Sequence, residues 1–140
     1  MFKSVNLLRL DNGQEVLSEL TSYCKRKGIS SAIILGIVGS LEKGRFGTPA
    51  TDGKWHSQHN DYSGHMSILS SQGSLSTYKG EMIFHIHMVL IDPARPEMMI
   101  GGHLEEGIVW ATTEIYIGEL TYQLQRTFDE KLNAPMLTTT

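Results

Sequence analysis

Apolar and polar positions along this chain change period twice. From Lys3 to Leu10 they approach alternation, with Val5, Leu7 or Leu8, and Leu10 as the apolar positions. That pattern predicts a first strand, ended by the Asp11-Asn12-Gly13 turn. Over Gln14 to Lys27 the period lengthens, and Val16, Leu17, Leu20, Tyr23 and Cys24 line one face of an amphipathic helix. Gly28 follows the basic run Lys25-Arg26-Lys27, where a C-terminal cap belongs. Beyond Ser31 the chain reads as strands separated by glycines. The predicted strands are Ala32 to Leu41, His65 to Ser70, Glu81 to Ile91, Met98 to Leu104, Ile108 to Ile117 and Tyr122 to Arg126. A glycine-rich stretch through Gly44, Gly47 and Gly53 reads as loop, and Met136 to Thr140 as a frayed end. One helix against about seven strands predicts an α+β fold: a mainly antiparallel, curled or barrel-like sheet with one main helix packed on it. No repeat and no linker-like shift divides the chain, so residues 1–140 are expected to form a single domain.

The strand from Glu81 carries the most informative chemistry. In Phe84-His85-Ile86-His87-Met88-Val89-Leu90, period 2 sends His85 and His87 to one face and Phe84, Ile86, Met88 and Leu90 to the other. Asp92-Pro93-Ala94-Arg95-Pro96 is a turn, and the chain then returns through Gly101-Gly102 to His103. Either even hairpin register, with His85 or His87 opposite His103, puts all three imidazoles on one face, with opposed Cβ atoms about 5 Å apart. An odd register, or a bulge at the two glycines, would separate them.

Three converging neutral imidazoles suit Zn²⁺ or a similar divalent ion and leave a fourth position open. Glu105, Glu106, Thr112 and Glu114 are near enough in sequence to hold the rings' other nitrogens. The alternative is a metal-free polar patch or subunit interface. His56, His59 and His65 fall in the glycine-rich middle and read as surface loop residues. Cys24 lies on the buried helix stripe and reads as core.

Composition narrows the classes. Net charge is −3, from 12 Lys and Arg against 15 Asp and Glu, which argues against a phosphate-holding surface. No apolar run reaches membrane-spanning length, the N-terminus lacks a secretory apolar stretch, and one cysteine offers no internal disulfide. A cytoplasmic protein without membrane contact is expected. Gly36-Ile37-Val38-Gly39-Ser40 lacks the lysine of a phosphate loop, and Gly44-Arg45-Phe46-Gly47 lacks the core of a minor-groove hook.

The order of features resembles the plants-and-prokaryotes-conserved (PPC) domain over about residues 5 to 130. The residues are Arg9 before Gly13 and the helix; Ile29-Ser30-Ser31-Ala32 into Gly36-Ile37-Val38-Gly39-Ser40-Leu41; His85-Ile86-His87; Gly101-Gly102-His103-Leu104; and Glu114-Ile115-Tyr116-Ile117. The resemblance implies a homotrimer, and a metal at His85, His87 and His103. Plant members carry an adjoining AT-hook for DNA and a partner-binding hexapeptide Gly-Arg-Phe-Glu-Ile-Leu. That hexapeptide aligns with Gly64-His65-Met66-Ser67-Ile68-Leu69, where only Gly64, Ile68 and Leu69 are kept. The preferred function is a trimeric, non-enzymatic binding module with a three-histidine zinc site and a small ligand or protein partner. A DNA-associated regulator whose DNA binding is weak or indirect is one alternative. The other is a metal-assisted hydrolase with Glu105 or Glu106 as general base.

Overall fold

A computed structural model describes residues 1–49, 51–52 and 58–138. The elements run β1 (Phe2–Asp11), α1 (Val16–Lys27), β2 (Ala32–Thr48), β3 (Gln58–Tyr78), β4 (Glu81–Ile91), β5 (Met99–Leu120), β6 (Arg126–Asp129) and β7 (Ala134–Leu137). The first five strands form one antiparallel sheet in the order β1-β5-β2-β3-β4. β4 also pairs with the start of β5, so the sheet curls back on itself. This is the expected α+β architecture.

The long strands explain the curl. β5 is continuous where the sequence suggested two strands, and its first part pairs with β4 while its last part pairs with β1. β2 runs on through Gly44 and Gly47 to Thr48, a stretch read above as loop, and pairs along β5 with four register shifts. Such irregularities bend a strand and strengthen its twist. The predicted His65 to Ser70 strand is one segment of β3, and His59 and His65 belong to that strand and not to a loop. His56 lies outside the described residues.

The inner face holds Leu10, Ile34, Leu41, Phe46, Met66, Leu75, Ile86, Met88, Leu90, Leu104 and Ile117, all buried. On β1 the buried parity is that of Leu8 and Leu10; Val5 and Leu7 face outward, against the expectation for Val5. Helix α1 adds Val16, Leu20 and Cys24 to this core. Its start is tied to β5 by Glu15, which caps Ser18 N–H at 2.6 Å and also accepts from Gly107 N–H at 3.1 Å. Its end is the expected one: Gly28 is left-handed (φ 69°), and Ile29 N–H donates to the Cys24 carbonyl.

Two corrections concern the C-terminus. The residues before Arg126 are not a strand, and β6 begins at Arg126. Met136 and Leu137 are not frayed, because β7 pairs with β6 in a small hairpin.

Candidate metal centre

The three histidines are brought together by backbone pairing. β4 buries Ile86, Met88 and Leu90, so His85 and His87 point from its outer face. The β4–β5 register is unbroken from Ile91 opposite Met99 to His87 opposite His103, the second of the two even registers anticipated. Gly101 and Gly102 make no bulge in this pairing, but both adopt φ near +140°, a conformation side chains rarely take. A Cβ on Gly101 would overlap the Met88 carbonyl oxygen, and one on Gly102 would lie 2.7 Å from the Gly47 carbonyl oxygen. These two residues therefore let β5 approach both neighbours just before His103.

Ring centroids are 4.9 Å apart for His85–His87, 5.1 Å for His85–His103 and 5.6 Å for His87–His103. One ligand nitrogen from each ring lies within 4.8 Å of the others, and His85 Nε2 is 3.0 Å from His87 Nε2. Tetrahedral zinc with Zn–N near 2.0–2.1 Å needs nitrogens about 3.4 Å apart. The donor set is neutral nitrogen throughout, which imidazole-preferring Zn²⁺ accepts well. His87 is exposed, so one side of the cluster is open. These residues fit a metal ion.

Arg126 is the neighbour that sequence reading missed. Thr77 N–H donates to the Leu124 carbonyl, laying the segment before β6 along the end of β3. From there the Arg126 side chain donates from Nε to Ser76 Oγ (2.8 Å) and from Nη1 to the Pro135 carbonyl (2.9 Å), and its Nη2 lies 3.4 Å from His85 Nδ1. Burial pulls the guanidinium pKa down from its ordinary value. A cavity of about 360 Å³ is lined by His85 and His103 of the sheet and by Arg126, Met136 and Leu137 of the β6–β7 hairpin, among others.

Two of the carboxylates considered for the rings' other nitrogens have other partners. Glu105 meets His59 Nδ1 at 2.8 Å, and Glu114 accepts from the Tyr116 hydroxyl, raising the Tyr116 pKa. His65 stacks on Trp110 with ring centroids 4.0 Å apart. Of the three hexapeptide positions, Ile68 is buried in the core and Gly64 lies against the Asp92 carboxylate. Leu69 alone of these is strongly exposed, at a register shift between β3 and β4.

The model of the Plants and Prokaryotes Conserved (PCC) domain matches residues 2–121. This chain belongs to that family. The match contains all three histidines and ends before Arg126 and the β6–β7 hairpin. No curated protein matches the PCC chain in sequence. Among solved structures it is similar to a PPC protein from Pyrococcus horikoshii, at 24% identity and TM-score 0.84 over 100% of this chain and 95% of that one. A metal-containing protein from Archaeoglobus fulgidus gives 24% and 0.84 over 99% and 96%. A candidate DNA-binding protein from Bacteroides thetaiotaomicron gives 18% and 0.85 over 99% and 94%. At these identities the likenesses speak for a shared fold.

Proposed function

We propose that this PCC chain is a trimeric, non-enzymatic binding module in which His85, His87 and His103 hold one divalent ion, zinc by preference, with a position left open for a small ligand or a protein partner. The observation that carries this reading is the convergence of three imidazole nitrogens within 4.8 Å on the outer face of a hairpin. The metal-containing neighbour from Archaeoglobus fulgidus supports it. The ion, when bound, supplies a Lewis-acidic point that orients an electron-rich group; the chain's part is to present three neutral nitrogens and leave His87 accessible. Self-association is supported by apolar side chains exposed on three strands of the sheet: Val5 and Leu7 on β1, Leu35 and Val38 on β2, and Leu69 on β3. Leu69 is also the hexapeptide position available to a protein partner, with Gly64 and Ile68 shaping the strand that presents it.

Elemental analysis of untagged protein tests the metal reading. One zinc per chain in the native protein, and less than about a tenth of that in the His87→Ala variant, is expected. Native protein that takes up no zinc at neutral pH would overturn it.

A second reading, a DNA-associated regulator, is favoured by the description of the Bacteroides thetaiotaomicron neighbour. The net charge of −3 sets it lower, because phosphate contacts draw on clustered Lys and Arg. Among the described residues, no helix is long and apolar enough to cross a membrane. A cytoplasmic site of action is part of this proposal.

A further inference from the structure

The cavity beside the histidines holds a cation. Among the described residues that line it none is a carboxylate, and among the described residues no Asp or Glu forms an ion pair with Arg126. A guanidinium has five N–H donors. The contacts to Ser76 and Pro135 occupy one each on Nε and Nη1, and in the metal-free chain Nη2 can donate to His85 Nδ1 when that ring is protonated on Nε2. At least one N–H remains on each terminal nitrogen, two donors for the oxygens of a carboxylate. Away from this end the wall is apolar, formed by Ile83, Phe84, Met136 and Leu137.

We propose that this cavity binds a small organic monocarboxylate, its carboxylate on Arg126 and its apolar body against Ile83, Phe84, Met136 and Leu137. A partly buried cation without a counter-charge is stabilised by an anion brought into the same low-dielectric space. The two free donors match two oxygens, whereas a phosphate dianion would leave further oxygens against hydrocarbon. Three neutral imidazoles add no negative charge, so a bound divalent ion would strengthen the demand for an anion. The volume, about 360 Å³, is at the lower end for small-molecule sites. The inference rests on the metal-site reading for its functional meaning, while its chemistry is testable without the ion.

The test is calorimetric titration of the metal-free full chain with phenylacetate, its neutral isostere phenylacetamide, and acetate. Phenylacetate is expected to bind at least about tenfold more tightly than either, since hydrogen bonds to a charged group contribute about 1.5–3 kcal/mol. Arg126→Gln should erase the preference for acid over amide, and Arg126→Lys, which keeps charge but not the fork, should restore only part of it. Equal binding of acid and amide by the native protein overturns the inference and needs no variant to show it. A preference that survives in Arg126→Gln overturns it as well. Acid preference in a protein that takes up no zinc would sink the metal reading and leave this one standing. Zinc uptake without acid preference would do the reverse.

Discussion

His87 on β4 stands directly opposite His103 on β5, and that single pairing decides whether the chain has a site at all. A slip by one residue would turn His103 into the core and leave two histidines outside. The register therefore does the work that a dedicated loop does in other binding proteins.

Because His87 is exposed and the inner face of its strand is carried by Ile86, Met88 and Leu90, His87→Ala should separate metal from fold. Zinc content should drop by about tenfold or more while the melting temperature of the metal-free protein stays within about 2 °C of native. Acidification should weaken zinc binding by the native protein, since only neutral imidazoles ligate and protons compete for their nitrogens. A zinc affinity that stays constant as the pH is lowered would contradict histidine ligation.

Gly101→Ala should behave in the opposite way. The new Cβ meets the Met88 carbonyl oxygen at a backbone angle reserved for glycine, and neither strand can yield without breaking the hairpin. A loss of about 3 kcal/mol, or about 10 °C in melting temperature, is expected. Zinc should be lost with it. Native-like melting of this variant would show that β5 can move away from β4.

The proposed trimer would cover exposed apolar residues on β1, β2 and β3. Light scattering should give three times the chain mass of 15.6 kDa. A value for one or two chains would remove the trimer. Val38→Glu together with Leu69→Glu should lower the measured mass if that face is the contact.

Cys24 is fully buried, and burial pushes its thiol up to about 11. The native protein should thus resist a thiol reagent at about pH 8, and react fully once denatured. Rapid labelling of the native chain would mean that the α1 face opens on that timescale.

Mobility-shift titrations should find DNA binding that is sequence-independent and fades between about 50 and 200 mM salt. Nanomolar, sequence-dependent binding at physiological salt would promote the regulator reading over the binding module.

How legible the fold and site were in the sequence depended on distance along the chain. The β4–β5 hairpin was readable because a period of 2, a proline-bounded turn and a short span leave only two registers that keep its apolar side inside. Helix α1 was readable from Val16, Leu20 and Cys24 together with Gly28. The Gly44 to Thr48 segment was not, because glycine is a poor strand former and gives no hint that Phe46 is buried between β5 and β3. His59 with Glu105 and His65 with Trp110 depend on registers between long strands that shift at bulges, which no local pattern encodes. Arg126 was hidden for a plainer reason. Its position follows from hydrogen bonds between Leu124 and Thr77 and between Arg126 and Ser76, links across about fifty residues that leave no periodic trace.

The family match closes at residue 121, and the hairpin that walls the cavity begins five residues later. The cavity is thus assembled from two parts of different standing: histidines with Ile83 and Phe84 from the stretch that defines the family, and Arg126 with Met136 and Leu137 from the stretch beyond it. Such a division makes the tail interchangeable in principle. A different β6–β7 segment could reshape the recess, or refit it for an uncharged guest, without disturbing one hydrogen bond of the β4–β5 ladder. One inherited histidine hairpin could then serve different small molecules across relatives, with part of the choice of guest written in the segment beyond residue 121.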